Sequence, residues 1–209
     1  MLDWLLSTVF TVRDTPMTWA EVLGFLTGVL NVWLLVRQNV ANWAVGILNV
    51  LLLLVVFWTY GLYADASLQL VYVALGLLGW WQWLRRGTDG ARLEVSRTTR
   101  AEWTVLAVVG MLATVALWLL LDRATDSTVP LPDALTTVLS LVATYLQTRK
   151  KLESWWIWIV ADLIYIPLYL YKGLWLTGAL YVVFLGLCVA GLLSWQRGLR
   201  GRAAEPVPA

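Results

Sequence analysis

The sequence predicts an all-α polytopic membrane protein, with seven transmembrane helices arranged as two parallel three-helix repeats joined by a linker helix. Three observations predict it. Of 209 residues, 60% are hydrophobic and only 13% charged, with a mean hydropathy of +0.74; a soluble domain of this length is far more polar. Apolar stretches of about 20 residues, the length that crosses a bilayer core, recur along the whole chain. The chain also aligns on itself without a gap when shifted by 112 residues, so that Trp43 falls on Trp155.

Residues 1–17 read as an extracytoplasmic interfacial segment with Trp4 and Phe10 towards lipid. Asp3 stands where a signal peptide would be basic, and no small-residue cleavage site follows. The first repeat, 18–84, holds spans at 18–36, 42–63 and 66–84. A basic cytoplasmic loop, 85–101, mixes Arg85, Arg86, Arg92, Arg97 and Arg100 with Asp89 and Glu94. It reads as a topology signal near anionic headgroups, with no call for a nucleic-acid partner. The linker helix is 102–121. The second repeat, 131–195, holds spans at 131–148, 155–171 and 174–195, and 196–209 is a cytoplasmic tail with a disordered end. Trp19, Trp43, Tyr63, Trp83, Trp103, Trp155, Tyr171, Trp175 and Trp195 mark the edges of these spans as an interfacial belt does.

Charge sets the orientation. Arg13, Arg123 and Lys172 lie on one side. The other side carries twelve: Arg37, the five arginines of the basic loop, Arg149, Lys150, Lys151, Arg197, Arg200 and Arg202. The positive-inside rule then puts the N-terminus outside and the C-terminus in the cytoplasm, which requires an odd number of spans. The inner (cytoplasmic) membrane of a bacterium is the expected location.

The repeat is carried by matched Trp, Gly and Arg. Arg37 falls on Arg149, Gly61 on Gly173, Gly79 on Gly191, Trp83 on Trp195 and Arg85 on Arg197. One linker span returns the chain to its starting side, so the triplets run parallel. Parallel repeats are a transporter architecture, as in SWEETs, with substrate held at the repeat interface near the midplane. Duplication without transport is the plainer alternative.

Two absences prune the chemistry. Without histidine there is no His-ligated metal, Ser-His dyad or imidazole relay. A single cysteine, Cys188, excludes an internal disulfide and CxxC redox chemistry. No metal or cofactor is expected. A membrane enzyme built on Asp162 and Tyr165, or a structural membrane protein, remain the alternatives from other classes.

Candidate binding residues follow from helix faces. In the sixth span Trp155, Trp158, Asp162, Tyr165 and Tyr169 share one face, and in the third span Gln69, Tyr72, Gly76, Gly79 and Trp83 repeat that spacing, with Trp80 beside them. The fifth span adds Thr137, Ser140, Thr144 and Gln147, and the second adds Asn49. Small residues, hydroxyls and asparagines at such spacing also serve helix packing. Asp162 is the sharper signal, because a carboxylate at mid-bilayer costs about 2.5–3.5 kcal/mol and no span holds a deep Lys or Arg to meet it. A planar cation between Trp158 and Tyr165 would meet that charge, with cation–π attraction of about 2 kcal/mol.

At these residues the sequence resembles the PnuC family of bacterial vitamin transporters. The resemblance rests on QLVYVALGLLGWWQW (Gln69 to Trp83) and ESWWIWIVADLIYIPLYLYKGLWLTGALY (Glu153 to Tyr181), and the 3+1+3 plan covers essentially the whole chain. It implies facilitated diffusion of a dephosphorylated vitamin, usually nicotinamide riboside, which a cytoplasmic kinase then traps. It implies a homotrimer with one pathway per protomer. Carried over by position, Trp155, Trp158, Asp162, Gln69, Tyr72 and Trp80 are binding candidates; Asn49, Thr137, Ser140 and Tyr165 come from the face argument alone. The family often has Asn where this chain has Asp162, which points to a small cationic vitamin, with thiamine the alternative to nicotinamide riboside. With no relay histidine and no second buried carboxylate, uniport is expected, with Pro167 and the glycines of the first and third spans as flex points.

Overall fold

In a computed structural model the chain is described at residues 2–12, 15–59, 61, 63–85, 93–125, 129–171 and 175–203. It forms two compact units, Met1–Arg92 and Leu93–Ala209. Arg13, Arg86, Asp89, Arg92, Lys172, Gly173 and the end of the tail lie outside the described residues.

The first unit opens with a short helix α1 (Leu2–Leu5) and a hairpin of β1 (Thr8–Val12) and β2 (Thr15–Thr18), in which Phe10 pairs with Met17. The interfacial reading did not foresee this hairpin, although TVFTV is rich in the β-branched and aromatic residues that favour strands. Trp4 stacks on Trp19 with ring centroids 5.4 Å apart. Helix α2 (Trp19–Val36) starts on a capping box, in which the Thr18 hydroxyl accepts from the Glu21 N–H and the Glu21 carboxylate accepts from the Thr18 N–H. Helices α3 (Ala41–Thr59) and α4 (Tyr63–Leu84) follow. The second span was expected to reach residue 63. The helix stops at Thr59 instead, and the chain reaches Gly61 with a φ of +72°, a conformation that costs a glycine least.

The second unit contains α5 (Arg100–Ala124), α6 (Pro130–Thr148), α7 (Ser154–Tyr171) and α8 (Trp175–Ala203). Helix α5 starts on the same type of capping box, Thr99 with Glu102. Part of the expected basic loop is built structure: the Ser96 N–H donates to the Lys150 carbonyl (3.1 Å), and the Leu152 N–H donates to the Ser96 carbonyl (2.9 Å). One Glu153 carboxylate oxygen accepts from both the N–H and the hydroxyl of Thr98, each at 2.8 Å. Residues 95–98 thus form a strap over the α6–α7 turn, with Val95 and Leu152 buried beneath it. Helix α8 runs on to Ala203, so the expected tail from 196 is largely helical. Hydropathy marks where a helix leaves lipid, not where it stops being a helix, and WQRGLR contains good helix formers.

Among the described residues, six of the seven long helices fall within a few residues of the expected spans, and α8 runs eight residues past the end of its own. Among the described residues, five helices are long and apolar enough to cross a membrane by length and composition. The other two, α4 (22 residues) and α6 (19 residues), have spanning length but carry the polar stripes. They lose hydropathy to Gln69, Tyr72 and Gln82 in one, and to four Thr, Ser140 and Gln147 in the other.

The 112-residue repeat is visible in the backbone. After α2, Gln38 takes a φ of +54°, and the N–H groups of Gln38 and Asn39 return to the carbonyls of Leu35 and Leu34. After α6, Lys150 takes a φ of +49°, and the N–H groups of Lys150 and Lys151 return to Gln147 and Leu146. Trp43 meets Trp83 edge to face at 5.5 Å, and Trp155 meets Trp195 edge to face at 5.3 Å. Gly79 and Gly191 make room for the Trp43 and Trp155 rings respectively; a Cβ at either glycine would lie within 3.0 Å of the ring.

Candidate functional site

In the second unit, α7 and α8 pack as an antiparallel pair whose contacts form rungs two turns apart. Trp155 meets Trp195 at one end and Tyr169 meets Tyr181 at the other, and the register between them sets the buried Asp162 and Cys188 at the middle level. Residues seven apart share a helix face, so the stripe read from α7 is one side of this ladder. The other side, Tyr181, Cys188 and Trp195, has the same spacing in α8 and was missed as a site because its residues are chemically unlike one another.

Asp162 is 2% exposed. Cys188, the residue at the same level of α8, is buried as well. Oδ2 has no hydrogen-bond partner among the described residues. One turn earlier, the buried Trp158 Nε1 has none either. An unpaired acceptor and an unpaired donor, both enclosed, therefore sit on one face of α7. Burying such groups unpaired costs about 1–3 kcal/mol each, so the arrangement suits a ligand that brings its own donor and acceptor.

Beside the acid, Tyr165 stacks on Tyr169 (5.6 Å, 20°), and Tyr181 packs against both, at 4.7 and 5.0 Å. Phe184 closes the group edge to face on Tyr181 at 5.7 Å. Trp155 is fully enclosed between Trp195 and Gly191, the place Trp43 holds in the first unit, so its ring packs helices together. On α6, the Ser140 hydroxyl donates to the Thr137 carbonyl at 2.8 Å, and the Thr144 hydroxyl to the Ser140 carbonyl at 2.8 Å. Thr137 itself is half-buried.

The first unit holds the other candidates. Gln69 is buried on α4, while Tyr72 and Trp80 are half-buried on the same helix. Asn49 on α3 donates to the Gly24 carbonyl (2.7 Å) and to the Thr27 hydroxyl (2.8 Å) of α2, so both its N–H bonds tie helices together. Among the described residues no group of His, Cys, Asp and Glu is placed to hold a metal ion.

Residues 18–197 match the family model described as nicotinamide mononucleotide transporter. The riboflavin/roseoflavin transporter RibM of Streptomyces davaonensis is 33% identical over 99% of this chain and 97% of its own length. The nicotinamide riboside transporters PnuC of Escherichia coli and Neisseria mucosa are 23% and 26% identical, over 90% and 91% of this chain and 90% and 76% of theirs. A crystal structure of the vitamin B3 transporter PnuC superposes with a TM-score of 0.68 at 25% identity, over 86% of this chain and 81% of that one. A match across nearly the whole chain, on a fold that superposes over most of both chains, leaves no room for the enzyme or structural alternatives: the chain belongs to the PnuC-type nicotinamide mononucleotide transporter family and is a multi-pass membrane vitamin transporter, not an enzyme.

Proposed function

We propose that the protein takes up riboflavin by facilitated diffusion and that the α7–α8 ladder recognises its ring. The observation that carries the choice of vitamin is the 33% identity with RibM along both chains, against 23% and 26% with the nicotinamide riboside transporters. The ladder's chemistry agrees. The flavin edge presents an N–H flanked by carbonyls, which complements an open Asp162 oxygen and a free Trp158 N–H. Tyr165, Tyr169 and Tyr181 offer flat aromatic surface beside that edge. Gln69, Tyr72 and Trp80 of the first unit are the further binding candidates.

Nicotinamide riboside is the second reading, favoured by Asp162 itself: an ionised carboxylate is the natural partner of a pyridinium ring, and thiamine would use it in the same way. Either substrate would move down its own gradient and be trapped by a cytoplasmic kinase. The twelve-to-three distribution of Lys and Arg supports a cytoplasmic C-terminus in a bacterial inner membrane. A homotrimer is the assembly expected.

Calorimetry on detergent-purified protein tests the reading, titrating riboflavin, nicotinamide riboside, thiamine and nicotinamide mononucleotide in turn. Riboflavin binding without the others is the expected result. Nicotinamide riboside binding alone selects the second reading, and binding by none in a monodisperse sample refutes both. Uptake into vesicles against a gradient that depends on protons or sodium would refute uniport.

A further inference from the structure

We propose that Arg37 and Arg85, at the ends of α2 and α4, hold the headgroup phosphate of an anionic phospholipid on the first unit. Arg37 lies over the Trp33 ring, 4.7 Å from its centroid, and Arg85 lies over the Trp81 ring at 3.8 Å. A guanidinium on an aromatic face keeps its charge and its in-plane N–H donors, the fork that takes a phosphate bidentately. Among the described residues neither arginine forms a salt bridge. Helices α2, α3 and α4 pack in chain order through short connections, so both arginines lie at one end of the unit. Each stands above an exposed apolar stripe. Leu26, Leu30, Trp33 and Arg37 share one face of α2, and Leu70, Leu77, Trp81 and Arg85 share one face of α4. Tryptophan settles at headgroup level, which puts the arginine one turn beyond it among the phosphates and the leucines along the acyl chains.

The repeat shows what such a face calls for. Shifted by 112 residues, Leu26, Leu30, Trp33 and Arg37 become Val138, Val142, Tyr145 and Arg149. In the second unit α5 covers that face. Val138 is buried, a Cβ on Gly110 of α5 would lie 3.7 Å from it, and Val142 and Leu106 pack on the same core cluster. Arg149 lies over the Tyr145 ring at 5.4 Å, and Glu102 of α5 meets its charge at 3.5 Å. One helix thus brings an apolar cover and a carboxylate together. The first unit has the same aromatic–arginine pair, with its stripe exposed and no acid on the arginine among the described residues. An anionic lipid brings both missing parts, acyl chains for the stripe and negative charge for the guanidinium. Phosphatidylcholine brings the cover without net charge. The proposal is independent of which vitamin is carried.

The test is thermal unfolding of the full-length protein, purified in neutral detergent and stripped of lipid. Phosphatidylglycerol or phosphatidylcholine with the same acyl chains is then added to the micelles. A ligand that binds the folded state raises the midpoint. Two arginines at an anionic headgroup should raise it by about 4–8 °C more with phosphatidylglycerol than with phosphatidylcholine. Joining Arg37→Gln with Arg85→Gln should remove more than half of that difference. Arg149→Gln, which removes an arginine already met by Glu102, should keep it to within about 2 °C. An equal gain from both lipids would overturn the proposal, and so would the full phosphatidylglycerol gain in the Arg37→Gln, Arg85→Gln protein. An equal loss in Arg149→Gln would overturn the assignment to the first unit. The same gain from inorganic phosphate would make this a free-anion site and contradict the lipid. Light scattering on the same samples tests a second copy as the occupant: a gain lost together with a change of assembly mass refutes lipid binding. If the double variant is not monodisperse, the two single variants decide the matter. Each should lose part of the gain, and no loss in either refutes the proposal.

Discussion

The two repeats share a scaffold and differ in what the scaffold holds. Each has a left-handed residue ending its first helix, and each has a Trp–Trp pair seated on a glycine. Two turns along from that pair, the second unit has Asp162 with Cys188, and the first has Val50 and Gly76 at the corresponding positions. Two turns further, Tyr169 and Tyr181 correspond to Phe57 and Gln69. Polar groups in the first unit do other work: Asn49 ties α3 to α2, and the side chain of Asn31 lies against Gly46. Duplication kept the packing that fixes the helices and not the residues at the middle of the ladder.

The largest effects should therefore be symmetric. Trp155→Ala and Trp43→Ala each remove a buried aromatic and should each cost about 3–5 kcal/mol of stability, read as loss of monodisperse protein or a fall in unfolding midpoint. Gly191→Ala and Gly79→Ala push a methyl into those rings and should each cost about 1–3 kcal/mol. A clamp needed in one unit and dispensable in the other would break the comparison.

A smaller asymmetry sits at the turns. The second unit's α6–α7 turn is held by the strap through Glu153, whereas the first unit's α2–α3 turn is held by Asn39, whose side chain accepts from the Ala41 N–H. Glu153→Ala should cost about 1–3 kcal/mol and expose residues 95–98 to protease. Asn39→Ala, the loss of one helix cap, should cost about 1 kcal/mol. The smallest change is Arg149→Ala. Its ion pair with Glu102 is 3.5 Å long and half exposed on the arginine side, so the loss should stay below about 1 kcal/mol in thermal unfolding.

Much of this was legible before any coordinates. Helix positions follow from hydropathy, and the repeat follows from Trp, Gly and Arg in register. Asp162 stands out because its neighbours are apolar. The role of Trp155 was less legible, since a stripe does not say whether an aromatic faces ligand or a neighbouring helix. A stripe also does not show the Gly191 seat of its ring, which pairs residues 36 positions apart. The capping boxes TWAE and TRAE are also legible as sequence patterns. The strap was not readable, because its hydrogen bonds join backbone groups across more than 50 residues.

The central claim is that the acid rung is what makes the second unit a recognition site, and one substitution tests it most directly. Asp162→Val gives α7 the residue that the first unit has there. Removing a lone buried acid should leave stability unchanged or raised, while titration with riboflavin or nicotinamide riboside, whichever the wild type binds, should show affinity lost by at least about tenfold. A folded Asp162→Val protein that binds like wild type would contradict the account.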